Sequence, residues 1–280
     1  MNDQDFKFFE DLLMRESGLV ITPEKMYLLE SRLLPIASKK GLSSLEELAS
    51  HLRSSGDTTL KSDIVEAMTT NETSFFRDST PFDRLKDELL PHFIKARGAQ
   101  KTLKILSAAC SSGQEPYSMA MLLKEYPALA GWKIEILATD LSNDILSQAK
   151  AGVYSQFEVQ RGLPVQLLVK YFTQDGDKWK VNQGLKDMIT FKSANLLKDI
   201  PSLGEFDIVF CRNVLIYFDV PTKGKVLADI KKVLRPDGVL FLGGAETVIG
   251  ISNEFKPVPN VKGVYVREDT TLALGDKVAV

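Results

Sequence analysis

The sequence predicts an α/β domain built on a mainly parallel sheet, with a small antiparallel β insertion, preceded by a small all-α N-terminal domain. Three observations predict it. Helical periodicity runs without a strand signal to about residue 70, strand and helix signals alternate from about residue 100, and one hairpin signature, YFTQDGDKWKVN, interrupts that alternation. Alternating strand and helix is the signature of a parallel sheet joined by helical crossovers. The expected division is a helical domain over 1–72 and a larger domain over 73–280, with the β insertion inside 153–184.

In the first region, apolar residues recur at three- and four-residue spacing in Phe6, Phe9, Leu12 and Leu13, and again in Tyr27, Leu28, Leu33 and Leu34. Thr22-Pro23-Glu24 sets a capping residue before a proline at a first helical position, and Ser43-Ser44-Leu45-Glu46 marks the next helix start. The strands of the larger domain are KTLKILSAAC, WKIEILATD, MITFKSAN, FDIVFCRN and GVLFLGGAE. Helices follow the first near PYSMAMLLKEY, the second near NDILSQAKAG and the fourth near TKGKVLADIKKVL, the last ending at the turn Arg235-Pro236-Asp237-Gly238. The insertion hairpin turns at Asp175-Gly176 or Gly176-Asp177. The segment NEFKPVPNVKGVYVRE reads as two antiparallel strands joined around Asn260, with fraying expected after about residue 268.

Composition excludes several function classes. The 35 basic and 37 acidic residues are interspersed, so no overall field draws the protein to nucleic acid or an anionic membrane. The start MNDQDFKFFEDLL has no basic segment ahead of an apolar one, and no apolar run approaches the roughly 18 residues needed to cross a bilayer. A cytoplasmic protein, not embedded in membrane, is expected. Cys110 and Cys211 end two predicted strands without a CxxC partner or a neighbouring His, so they read as reduced, packed thiols and no metal site is expected.

Open parallel sheets bind ligands beyond the carboxyl ends of their strands, where strand order reverses. The polar residues placed there are Ser111, Ser112, Gly113, Gln114 and Glu115 after the first strand, Asp140 after the second, Asn195 after the third, and Arg212 and Asn213 after the fourth. Asp140 is suited to accept hydrogen bonds from both hydroxyls of a ribose; the competing reading is an N-cap, a task Ser142 is equally able to fill. The first loop, ACSSGQEPYS, holds one glycine and lacks the three-glycine pattern of a dinucleotide pyrophosphate site. A ligand with a ribose and no phosphate fits better, and S-adenosylmethionine is the common one. Glu115 suits its methionyl ammonium, or is simply an acid favoured at a helix N-terminus.

The runs TTNETSFFRD (69–78), AACSSGQEPYSMAM (108–121), ATDLS (138–142), FCRNVLIYFD (210–219) and LRPDGVLFLGGAE (234–246) together resemble the CheR-type chemotaxis receptor methyltransferases. TTNETSFFRD and CRNVLIYFD are the specific elements, and the likeness extends through the helical N-terminal region. The resemblance implies a Rossmann-like S-adenosylmethionine-dependent methyltransferase that esterifies receptor glutamates during sensory adaptation. It implies a cofactor site of Asn71, Thr73, Arg77, Glu115, Asp140, Asn195, Leu196, Asn213 and Val214. It also places Arg77 and Tyr217 beside the transferred methyl and the substrate carboxylate.

Some members of the family grip a receptor's C-terminal pentapeptide with the β insertion; the short hairpin here favours direct recognition of the receptor's helical cytoplasmic bundle by a monomer. Arg32, Lys39, Lys40, Arg53 and Lys61 are the basic candidates on the N-terminal helices, although residues 1–70 hold 8 basic against 12 acidic side chains. Other readings are a catalytically silent module that binds S-adenosylmethionine or S-adenosylhomocysteine, and a methyltransferase acting on another carboxylate. Nucleic-acid methylation is disfavoured: the chain has no Pro-Pro-Tyr, Pro-Pro-Phe or Pro-Cys motif and no basic and aromatic stripe.

Overall fold

The computed structural model describes residues 1–259 and 261–272. The chain forms two compact units, one of Met1–Thr70 with Tyr217–Thr222, the other of Asn71–Ile216 with Lys223–Val280.

The smaller unit is helical: α1 Asp3–Ser17, α2 Met26–Lys39, α3 Leu45–Ser55 and α4 Thr58–Met68. Each end has a local cause. Asn2 and Ser44 accept backbone N–H groups of α1 and α3 through their side chains, while Gly18 and Gly56 close the same helices in the left-handed conformation. Thr22 does not cap in this way; Pro23 opens a short 3-10 turn, Pro23–Lys25, ahead of α2. The first expected stripe is buried, and Phe9, Leu12 and Leu13 form a core with Leu29, Leu33, Leu48 and Leu60; of the second, only Leu33 is buried, while Tyr27 and Leu34 are exposed because α2 turns Leu29, Leu33 and Ala37 inward instead. Three of the five basic candidates are used internally, Lys40 pairing with Asp57 at 3.5 Å. Arg32 donates to the carbonyls of Met68 and Thr69 at the end of α4, and Arg53 pairs with the buried Asp5.

The larger unit begins with α5 Thr80–Arg84, a π-type turn over Leu85–Leu89 and α6 Leu90–Arg97. The alternating region follows with β1 Thr102–Ala108, α7 Gln114–Lys124, β2 Lys133–Asp140 and α8 Asn143–Ala151. The insertion comprises β3 Val153–Ser155, α9 Gln156–Gln160, α10 Val165–Tyr171, β4 Phe172–Asp175 and β5 Lys178–Val181. The remainder is α11 Gln183–Lys186, β6 Ile189–Ser193, β7 Phe206–Cys211, α12 Val220–Val233, β8 Leu234–Leu242, β9 Phe255–Pro257 and β10 Val264–Arg267.

The main sheet has the order β6-β2-β1-β7-β8-β10-β9, parallel from β6 to β8 and antiparallel beyond. The chain builds from β1 outward through β2 and β6, then returns to lay β7 against the other side of β1. The switch point therefore lies between the carboxyl ends of β1 and β7. β7 is buried along its whole length, as a central parallel strand covered on both faces must be.

Three further details differ from the sequence reading. The insertion is a three-stranded antiparallel sheet, β3-β5-β4, because Val153–Ser155 pairs with β5; three residues are too few to show a period. Arg235-Pro236-Asp237-Gly238 does not stand between helix and strand: β8 starts at Leu234 and accommodates the four residues as an irregularity, Phe206 pairing Leu234 and Ile208 pairing Val239. A Cβ at Gly238 would lie 2.9 Å from the Asp207 carbonyl, so the close approach there requires glycine. Finally, residues just past 268 are tied down, since Thr270 Oγ1 and the Thr271 N–H both donate to the Pro236 carbonyl at 3.0 Å. The turn expected at Asn260 and the chain after 272 lie outside the described residues.

Candidate cofactor site at the switch point

The loop leaving β1 is bent by left-handed backbone at Ala109, Ser111 and Gly113. That curvature directs the Ser111 N–H to Asp140 Oδ2 at 2.8 Å, while Asp140 Oδ1 accepts the Ser142 N–H at 3.1 Å. Ser142, not Asp140, is the N-cap of α8, its hydroxyl accepting from the Ile145 N–H. The capping alternative for Asp140 is thereby removed. Its carboxylate sits buried at the end of β2, next to the switch point. Ser111 Oγ in turn donates to the Asn71 carbonyl at 2.7 Å, joining this corner to the segment that carries Asn71, the half-buried Thr73 and Arg77.

Glu115 lies in the first turn of α7, yet it is no solvated helix acid. Its Oε1 accepts from Ser107 Oγ at 2.8 Å and its Oε2 from Arg212 Nη1 at 3.0 Å. Burial holds its pKa above the ordinary carboxylate value, opposed by the Arg212 charge and the Ser107 hydroxyl. Arg212, with a side chain 2% exposed, also donates from Nη2 to the Arg77 carbonyl at 3.0 Å and to Asp78 Oδ2 at 2.8 Å. Its guanidinium carbon lies 5.9 Å from the ring centroid of Phe82. The Nε atom is buried without an acceptor in the protein.

Arg77 is presented by an unusual turn. Phe76, Asp78 and Ser79 all have positive φ (47°, 67° and 36°), which costs of order 1–3 kcal/mol per residue and persists only where surroundings enforce it. The enforcement is visible. Phe75 is fully buried and meets Tyr154 and Phe172 edge-on at 5.0 and 5.6 Å between ring centroids. The Phe76 N–H donates to Ser118 Oγ at 2.9 Å, and Gly162 comes so near that a Cβ there would be 2.1 Å from the Phe75 carbonyl oxygen. The Arg77 guanidinium donates to the Glu72 carbonyl at 2.8 Å.

Beyond β7, Asn213 is also left-handed (φ 59°), and the turn is organised by Glu246. The Glu246 carboxylate accepts the N–H groups of Asn213 at 2.8 Å, Val214 at 2.9 Å, Ile216 at 3.3 Å and Gly243 at 2.6 Å. Asn195, at the end of β6, is buried, and its Oδ1 accepts the Leu197 N–H at 2.9 Å; Leu196 beside it is half-buried. The adjacent Ala194 N–H donates to the Asp140 carbonyl at 3.0 Å, tying the ends of β6 and β2. Tyr217 ends a 3-10 turn, Leu215–Tyr217, is half-buried, and groups with the smaller unit, where its carbonyl accepts the Val20 N–H at 2.9 Å.

One hydrogen-bonded set thus joins Asn71, Ser111 and Asp140, and a second joins Arg77, Asp78, Arg212, Glu115 and Ser107. Residues 71–264 match the family described as CheR methyltransferase, SAM binding domain, and residues 4–69 match CheR methyltransferase, all-alpha domain. The chain belongs to the CheR methyltransferase family. Among its relatives, Chemotaxis protein methyltransferase 1 of Pseudomonas aeruginosa is 42% identical over 94% of this chain and 97% of its own. Chemotaxis protein methyltransferase Cher2 of Pseudomonas putida is 40% identical over 93% of this chain and 96% of its own, and a Chemotaxis protein methyltransferase 1 of Vibrio cholerae is 41% identical over 95% and 98%. The larger unit is accordingly a CheR S-adenosylmethionine-binding domain, and every residue of the two hydrogen-bonded sets falls inside its match. Burial pushes the thiols of Cys110 and Cys211 well up, so neither is a nucleophile near neutral pH. Among the described residues no group of His, Cys, Asp and Glu is arranged to hold a metal, and no helix is long and apolar enough to cross a membrane.

Arg212 and Glu246 organise this CheR site, yet sequence reasoning left both out of the residue set. Arg212 was visible as a strand-end charge, and Glu246 closes the run LRPDGVLFLGGAE; neither had a local signal for its partners.

Proposed function

We propose that this CheR methyltransferase esterifies glutamate side chains on the helical cytoplasmic bundle of chemotaxis receptors, with S-adenosylmethionine as donor. The observation that carries the reading is the link from Glu115 through Arg212 to the Arg77 turn, which sets an acidic group and a substrate-facing arginine on one buried scaffold at the switch point. The relatives' names support the chemotaxis assignment.

Asp140 is assigned to the ribose hydroxyls and Glu115 to the methionyl ammonium. Asn71, Thr73, Arg77, Asn195, Leu196, Asn213 and Val214 complete the cofactor's surroundings. The residues present fit this ligand: Asp140, buried at the end of β2, and Glu115, in the first turn of α7, are two carboxylates beside the switch point that suit ribose hydroxyls and an ammonium. The cofactor brings a methyl group on a cationic sulfur, already activated for displacement.

Little acid–base help is then needed from the protein. A glutamate carboxylate, with an ordinary pKa of about 4.3, is anionic at neutral pH and is itself the nucleophile. What remains is alignment and exclusion of water, and both come from fixed groups. Arg77 orients the carboxylate without neutralising it, because part of its guanidinium is committed to the Glu72 carbonyl. Tyr217 contributes a lighter hydrogen bond. Recognition of the receptor bundle is assigned to basic residues of the N-terminal helices, chiefly the exposed Lys39, since Arg32, Lys40 and Arg53 are used internally.

The test is transfer of tritium from methyl-labelled S-adenosylmethionine to purified receptor cytoplasmic fragments, followed by mild base to release methanol. Base-labile label that disappears on Glu-to-Ala changes in the receptor and on Arg77→Ala is the expected result. Base-stable label would mean the acceptor is not a carboxylate. Cofactor binding without transfer would favour a silent binding module.

A further inference from the structure

We propose that Arg212 is the positioning residue that couples the two halves of the reaction site, fixing Glu115 at the cofactor's ammonium and the turn that presents Arg77 to the substrate. The inference rests on the reading above. Its basis is that one guanidinium serves both halves with separate nitrogens: Nη1 to Glu115 Oε2, Nη2 to the Arg77 carbonyl and to Asp78 Oδ2. These partners come from α7 and from the 75–79 turn, far apart in sequence, and Arg212 itself follows β7.

Each half needs what Arg212 gives. The Arg77 turn is held in left-handed backbone at Phe76, Asp78 and Ser79, a conformation that relaxes unless it is clamped. Phe75 and Phe76 are gripped by packing and by Ser118, and on the far side of Arg77 the guanidinium of Arg212 holds the Arg77 carbonyl and the Asp78 carboxylate. Glu115 must be ionised to hold an ammonium. Its side chain is 12% exposed, and the groups around it are Arg212 as the cation, the Ser107 hydroxyl, the Glu246 carboxylate, and the thiols of Cys110 and Cys211. Arg212 is the charge among them that favours the carboxylate. Removing it lets burial and Glu246 drive Glu115 towards its neutral form, so cofactor affinity becomes lost as pH falls through a pKa displaced upward.

Lysine cannot replace this arrangement in full, because an ammonium is a compact point charge without the planar fork that reaches both sides at once. The two functions therefore separate by substitution. Binding of S-adenosylhomocysteine to the full-length protein is measured by calorimetry between about pH 6 and 8, alongside kcat on receptor fragments and a thermal melt. For Arg212→Met the expected result is at least a tenfold weaker Kd near neutral pH, with Kd worsening by up to about tenfold per unit of falling pH, against a nearly flat wild-type profile. Arg212→Lys is expected to regain Kd within about threefold and the flat profile, while kcat stays roughly tenfold down. Asp78→Asn, at a side chain 53% exposed, is expected to lower kcat about threefold and leave Kd unchanged.

The proposal is overturned if folded Arg212→Met binds with the wild-type Kd and pH profile, or if Arg212→Lys restores kcat and Kd together. If Arg212→Met does not fold, the lysine and Asp78 variants carry the same decision. Wild-type protein that fails to bind S-adenosylhomocysteine or to label the receptor would instead remove the methylation reading itself, and the proposal with it.

Discussion

Replacing Glu246 by alanine perturbs the larger unit at a point where one side chain satisfies four backbone donors. Those donors, on Asn213, Val214, Ile216 and Gly243, lose their common acceptor. An unsatisfied buried amide costs about 1–3 kcal/mol, and the Ile216 bond is the longest and weakest of the set. Water is able to reach part of a turn whose residues are half-buried, so a net loss of about 3–5 kcal/mol is the expectation rather than the full sum. For a unit of this size that corresponds to a melting temperature roughly 6–15 °C lower. The chain's two tryptophans, Trp132 and Trp179, both lie in the larger unit, so their fluorescence reports its unfolding separately from the helical unit. Glu246→Gln keeps one acceptor oxygen and turns the other position into a donor facing N–H groups, and it should lose about half as much. A Glu246→Ala melt within about 1 °C of wild type would refute the reasoning, because it would mean the four donors find equal partners elsewhere.

Asp140→Asn retains a single carbonyl acceptor for the Ser111 and Ser142 N–H groups, and it should weaken S-adenosylhomocysteine binding about tenfold or more by calorimetry while shifting the melt by only a few degrees. Gly162→Ala forces a methyl into the Phe75 carbonyl from a residue with φ of 84°; kcat on receptor fragments should fall at least tenfold with a stability loss of about 1–3 kcal/mol, read by tryptophan fluorescence in urea. Cys110 and Cys211 are buried thiols with raised pKa, so at about pH 8 both should resist an aromatic disulfide reagent in the native protein and both should react once denaturant unfolds it.

The architecture was legible because its signals are local. Phe6, Phe9 and Leu12 share one face of a helix by spacing alone, and IEILATD or FDIVFC is an apolar run of strand length bounded by polar residues. The same holds for the hairpin at Gly176, whose turn is encoded by two or three residues. Val153–Ser155 escaped because a three-residue strand has no period to detect, and Arg235–Gly238 was misplaced because a turn-like tetrapeptide is equally good chemistry for an irregularity within a strand. Position in an open sheet made Asp140, Asn195 and Asn213 candidates before any geometry was known. Excluding Asp140 as the helix cap required seeing that Ser142 already holds the Ile145 N–H.

The part of the site that sequence left blank is its electrostatic framework, and the reason is physical. Glu115 and Arg212 are separated by 97 positions, Asn213 and Glu246 by 33, and Asp78 and Arg212 by 134. A partner so distant leaves no mark on local composition or periodicity, although its charge lowers the pKa of the carboxylate it faces. Arg212 read simply as one more polar residue at the end of a strand. In three dimensions it occupies the switch point between β1 and β7, the position from which a single side chain is able to reach both the first turn of α7 and the Arg77 turn. Parallel-sheet topology therefore does more than gather polar loops around a ligand. On the proposal made above, it lets one buried charge act on both the ionisation of Glu115 and the backbone of the Arg77 turn, so that loss of either contact is felt in the other.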